Sequence, residues 1–89
     1  MNSFNKEQLK LWTPATYRIK VQGQLDQSWS DRLAGMAITA SIQGDEPPVT
    51  VLEGWLPDQA ALAGVLNTLY ELHLPLLSVE ILSYEETVL

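Results

Sequence analysis

Eighty-nine residues are enough for one domain and too few for two, and 46% apolar against 18% charged side chains is the balance of a chain that folds around a core. Eleven acidic against five basic residues leave a net charge of −6, which repels phosphate backbones and anionic lipid surfaces, so neither nucleic acid nor a membrane is an expected partner. Cysteine is absent, which removes disulfides, thiol nucleophiles and thiolate metal sites.

The N-terminal segment lacks the apolar h-region of a secretory signal, and no apolar run reaches the ~18 residues a membrane span needs; the expected location is the cytoplasm. Residues 1–14 read as a tail set off by Pro14, residues 15–83 as a single α+β domain, and residues 84–89 as a short acidic tail. From Tyr17 the positions Tyr17, Ile19, Val21 and Leu25 are apolar and alternate with Arg18, Lys20, Gln22 and Gln24, which is the period of a half-buried strand. Asp26 to Gly35 fits a two-turn helix, with Ser28 and Asp31 as a capping pair, Trp29 and Leu33 on one face and Gly35 just past its end.

A second alternation, Met36, Ile38, Ala40 and Ile42, predicts a strand that stops at Gly44-Asp45-Glu46-Pro47-Pro48. Val49 to Leu56 predicts a third strand with blurred alternation. Asp58 offers an N-cap carboxylate, and Leu62, Val65, Leu66, Leu69 and Leu72 then form one stripe at helical spacing, predicting a helix over 59–72. Leu74-Pro75 ends it, and Leu77, Val79 and Ile81 alternate with Ser78 and Glu80 as a fourth strand. The element order β-α-β-β-α-β is that of a ferredoxin-like split βαβ fold, a four-stranded antiparallel sheet with helices on one face; with the short helix reduced to a loop it becomes βββαβ.

Gly23 to Met36 (Gly-Gln-Leu-Asp-Gln-Ser-Trp-Ser-Asp-Arg-Leu-Ala-Gly-Met), Gly54, Asp58 to Leu66 (Asp-Gln-Ala-Ala-Leu-Ala-Gly-Val-Leu) and Leu74 to Val79 together resemble a family of small uncharacterised bacterial proteins. Its members share a Trp-Ser-Asp segment and an Asp-Gln-Ala-Ala-Leu-x-Gly-x-Leu helix start, over a span corresponding to Tyr17 to Ile81. The resemblance implies no activity. Members often carry His or another polar residue where this chain has Ala63, so any role of that side chain is missing here. Leu62 to Val79 is also similar, as a fold pattern, to ligand-binding regulatory domains that sense amino acids.

Catalytic motifs are sparse. His73 is the single histidine and sits at the helix end, where a structural role facing the free carbonyls is the simplest account; Leu69, Tyr70, Leu76 and Leu77 hold the positions a metal partner would need. Asp26, Asp31 and Asp58 lie at element ends, where capping explains them and acid–base chemistry is the alternative. Ser28, Ser30 and Ser41 have no nucleophile-elbow context, the glycines form no phosphate loop, and no cofactor is expected.

Binding features are more numerous. Gly64 faces about 140° away from the apolar stripe, so with Ala60 and Asn67 it makes a smooth outward groove on the helix. Trp29 and Trp55 precede the two helices and are expected at one end of the sheet, either in the core or walling a small pocket. The open sheet face is expected to carry Arg18, Lys20, Gln22, Thr39, Ser41, Thr50, Leu52, Ser78 and Glu80, without exposed aromatics, and Leu52 with Leu76 and Leu82 is the expected nucleus of a homodimer. Thr87-Val-Leu89 matches the minimal C-terminal pattern of a PDZ ligand.

The sequence therefore points first to a non-enzymatic module that binds a protein or a small ligand, most simply as a homodimer. Two alternatives stand beside it: a small enzyme with carboxylates near Trp29, Asp31 and Asp58, and a structural subunit of a larger assembly. The surface residues singled out are Trp29, Asp31, Trp55, Asp58, Ala60, Gly64 and Asn67.

Overall fold

The computed structural model describes residues 9–85. Strands β1 (Ala15–Gln22), β2 (Ala37–Ser41), β3 (Val49–Leu56) and β4 (Leu76–Tyr84) form one sheet in the order β2-β3-β1-β4, with every neighbouring pair antiparallel. A 3-10 helix (Gln27–Leu33) connects β1 to β2, and helix α1 (Gln59–Glu71) connects β3 to β4. The fold is thus α+β with a four-stranded antiparallel sheet and two helical segments. It departs from the ferredoxin-like expectation in its first crossover, which is neither the expected α-helix nor a bare loop but a single seven-residue 3-10 segment.

One face of the sheet carries the core. Ala15, Tyr17, Ile19 and Val21 of β1 pair with Leu56, Gly54, Leu52 and Thr50 of β3, and all of the side chains in this set are buried. Ile38 of β2 and Met36 extend the cluster, and Leu33, Val65 and Leu69 close it from above. The placement of Thr50 and Leu52 corrects the sequence expectation, which put both on the open face. The register shows why: Leu52 lies opposite Ile19 on one side and Ile38 on the other, in an unbroken apolar row. Thr50 is buried for a polar reason. Its Oγ1 accepts the Leu25 N–H at 3.1 Å and donates to the Gly23 carbonyl at 2.6 Å, tying down the turn that leaves β1.

Local chemistry sets the element ends. Asp26, rather than the expected Ser28 and Asp31 pair, caps the 3-10 helix by accepting the Ser28 N–H, and the Ser28 side chain first and this backbone bond second hold its carboxyl below its ordinary value. Ala34 and Gly35 then take consecutive left-handed conformations, φ 58° and 74°, to turn the chain into β2. β2 ends at Ser41, so Ile42 is exposed beyond the sheet. Asp58 caps α1 as expected, its Oδ1 accepting the Ala61 N–H at 2.8 Å.

Helix α1 stops through a Schellman turn. His73 adopts φ 62°, its N–H bonds the Tyr70 carbonyl at 2.9 Å, and the Leu74 N–H reaches back to Leu69 at 3.2 Å. His73 thus occupies the left-handed position that glycine usually fills. Leu74 folds against Gly23, where an added Cβ would lie 2.7 Å from the leucine Cδ2. At the other end of the domain, Gln59 N–H bonds the Leu11 carbonyl and Glu85 N–H bonds the Pro14 carbonyl, so residues 11–14 and 85 are fastened to the sheet end. The PDZ-like Thr87-Val-Leu89 lies outside the described residues.

Candidate binding surface

The sequence-derived candidates fall into three places. Trp29 is half-buried against the core on the helix side, with the Arg32 guanidinium 5.1 Å from its ring centroid, and Asp31 is exposed on the same 3-10 helix. Trp55 lies on the opposite face, opposite Thr16 in the register, 53% exposed, with Nε1 donating to Glu85 at 3.1 Å. The two tryptophans therefore do not share a pocket; alternation along β3 sends Trp55 away from the face that Trp29 covers. Asp58, Ala60, Gly64 and Asn67 follow one another up α1, where Gly64 has open space around it and Ala60, Gly64 and Asn67 are exposed. Asp58, Gln59 and Ala60 join the exposed Leu11 and Trp12 in a shallow depression of about 430 Å³.

The open sheet face is charged at its centre. Arg18 on β1 reaches Glu53 of β3 at 2.6 Å and Glu80 of β4 at 3.7 Å, a cross-strand triad in which the paired carboxylates raise the guanidinium pKa above its ordinary value. Lys20 sits one step along, in a hollow of about 260 Å³ shared with Ser41, Gln43, Glu46, Pro47, Val49 and Val51. This face does carry an exposed aromatic, Trp55, contrary to expectation.

The third region was only partly visible in the sequence. Leu66, Leu69 and Tyr70 of α1, the Leu74-Pro75 turn and Leu76 of β4 line an apolar groove of about 280 Å³. From it the apolar surface runs on along β4, where Leu76, Leu77, Val79, Ile81 and Leu82 are each exposed by 38% or more and Tyr70 by 78%. Two facts produce this exposure. Helix α1 packs on the 3-10 helix and β3, toward the other side of the sheet, so among the described residues no helix covers the β4 side of the same face. The β1–β4 ladder also slips twice, between Lys20 and Val21 and between Thr16 and Tyr17, leaving Leu77 and Leu82 without a partner across the ladder. The doubled leucines at 76–77 and the Ile81-Leu82 pair, which break strict alternation, are the sequence signal of these slips.

Elsewhere, Tyr17 is buried with no hydrogen-bond partner for its hydroxyl among the described residues. No three His, Asp or Glu side chains gather as a metal site needs, and no helix is long and apolar enough to cross a membrane, among the described residues.

The model of a family described as a domain of unknown function, DUF8691, matches residues 16–80. No curated protein matches the chain, and no solved structure does.

Proposed function

The chain belongs to the DUF8691 family, and from its geometry we propose that it is a non-enzymatic binding module whose working surface is the β4 edge together with the C-terminal half of α1. The framework is of the ferredoxin-like type with its first helix reduced to a 3-10 turn. One observation carries this reading: an edge strand of nine residues that exposes five aliphatic side chains beside an apolar groove. An edge strand presents unpaired backbone N–H and C=O groups, and an extended polypeptide satisfies them by adding a strand, with pockets beside the edge selecting its side chains. The favoured partner is therefore a polypeptide in extended conformation. Contiguous apolar surface of this extent marks an interaction site on a soluble domain.

The enzymatic alternative has less support. Asp58 has one carboxylate oxygen committed to the α1 cap, and Asp31 lies on the exposed side of the 3-10 helix rather than in a cleft. The outward side of α1 supports a second, smaller contact, since Ala60, Gly64 and Asn67 leave the helix backbone approachable beside exposed Leu11 and Trp12.

Selection from a displayed random-peptide library against the immobilised protein tests the proposal. Extended, apolar peptides should be enriched, and their binding should be lost in Ile81→Lys and kept in Trp55→Ala and Gly64→Arg. Enrichment of nothing by a chain that is monomeric, or of peptides indifferent to Ile81→Lys, would overturn the assignment of this surface.

A further inference from the structure

We infer that the strand which completes the β4 edge is β4 of a second copy, paired antiparallel about a two-fold axis at Val79 to make one continuous eight-stranded sheet. This rests on the β4 surface proposed above and names its occupant.

The first support is a pattern within β4 itself. Leu76-Leu77-Ser78-Val79-Glu80-Ile81-Leu82 reads the same in hydropathy from either end: two apolar residues, a polar one, Val79, a polar one, two apolar residues. An antiparallel strand related by two-fold symmetry reverses the sequence across the axis, so a hydropathy palindrome sets apolar residues opposite apolar ones and polar opposite polar when the strand pairs with itself. With the axis at Val79, Leu76 lies opposite Leu82, Leu77 opposite Ile81, and Ser78 opposite Glu80 of the second copy. Moving the axis one residue to Glu80 would set two carboxylates face to face.

The second support is charge on the open face. Glu53, Arg18 and Glu80 already alternate in sign across β3, β1 and β4. In the Val79 register that row continues through Ser78 of the second copy to its Lys20, which pairs with Ser78 in the β1–β4 ladder. Each row therefore reads acid, base, acid, hydroxyl, base, and symmetry supplies it twice. On the helix face the row Ile38, Leu52, Ile19, Val79 runs on into its own mirror sequence, so an apolar strip crosses the whole double sheet. Leu82 of the second copy takes the register position across from Leu76, at the mouth of the apolar groove.

The third support is area. From their fractional exposures, Tyr70, Leu76, Leu77, Val79, Ile81 and Leu82 present on the order of 500 Å² per copy, so a two-fold contact covering all of it would bury at most about 1,000 Å², the lower bound of a specific interface. β4 contains neither Lys nor Pro, two of the usual deterrents to edge pairing, although it carries two ladder slips and Glu80. The ladder slips at Leu77 and Leu82 leave Ser78–Ile81 regular, so about the Val79 axis the backbone pairing is confined to Ser78–Glu80, and the apolar residues beyond it meet through their side chains.

Light scattering coupled to size-exclusion chromatography, over a dilution series of the full chain from about 100 µM downward, reads the association directly. The wild type should be a dimer that dissociates on dilution. Ser78→Glu places a carboxylate opposite Glu80 of the second copy, twice by symmetry, and should weaken association by about 10-fold or more. Within its own chain the new carboxylate lies beside Lys20, so the fold is retained, which an unchanged unfolding midpoint at monomeric concentration checks. Adding Glu80→Lys to Ser78→Glu should restore the dimer. A wild-type monomer at 100 µM, or a dimer indifferent to Ser78→Glu, overturns the inference. The two proposals fail separately: peptide capture by a monomeric chain leaves the β4 surface standing and removes the second copy, whereas a Ser78-insensitive dimer with no Ile81-dependent peptides removes both.

Discussion

The two edges of this sheet face the same physical problem and meet it in opposite ways. β2 is five residues long, and the 3-10 helix lies beside it, with Gln27 Oε1 accepting the Ile38 N–H at 3.0 Å and Ser30 Oγ donating to the Met36 carbonyl at 2.7 Å. β4 is nine residues long, apolar on its exposed surface, and bordered by a groove. A single cross-sheet row measures the difference: Ile38, Leu52 and Ile19 are buried and Val79, at the far end of the same row, is 38% exposed. A short edge whose backbone is partly met by side-chain hydrogen bonds, one accepted and one donated, offers little to a further strand; a long apolar edge offers more.

The largest effect expected from this contrast lies in that row. Leu52→Ala should cost about 2 to 5 kcal/mol in urea unfolding, because a fully buried side chain leaves a cavity between β2 and β1, whereas Val79→Ala in dilute, monomeric protein should cost less than about 1 kcal/mol. Equal costs would mean that β4 is as closed as β2. Thr50→Val should cost about 2 kcal/mol by the same measurement, since it strands the Leu25 N–H and the Gly23 carbonyl in the core.

At the closed edge, Gln27→Ala should cost about 1 kcal/mol and raise amide exchange at Ile38 while leaving the β4 amides unchanged. At the open edge, His73→Gly relieves a left-handed residue in the turn that delivers β4 and should stabilise by about 0.5 to 1 kcal/mol, read as a higher thermal midpoint. The smallest effect is a pH effect. The Asp26 carboxyl is held below its ordinary value of 3.8 by the Ser28 hydrogen bonds, so its cap is fully present above that value and is lost as pH falls through the depressed one. Unfolding of Asp26→Asn should therefore lose a small part of the acid dependence and leave stability near neutral pH little altered.

Much of this was legible in local chemistry. The period of two in β1, the Asp58 cap and the Leu62-to-Leu72 stripe each encode an element through contacts a few residues apart, and β1, α1 and β4 lie where these signals put them, to within three residues at each end. Gly64 faces outward, as the helical angle requires. The face assignment of β3 was not legible, because Thr50 is buried by hydrogen bonds to a turn 25 residues away and Leu52 by strands that pair with it from both sides. Nor was the separation of Trp29 from Trp55, since order along the chain does not say which side of the sheet a side chain takes.

By itself the sequence determined the strand periods, the α1 period and its Asp58 cap, the net negative charge and the absence of thiol chemistry, all of which depend on residue type and near neighbours. Only the tertiary structure decided which apolar stripes find a cover. Helix α1 settles over β3 and the 3-10 helix, and the slips in the β1–β4 ladder turn Leu77 and Leu82 out of the pairing. The same leucine-rich pattern reads as core in a strand covered by a helix and as exposed surface in one that is not, and coverage is set by packing between distant elements.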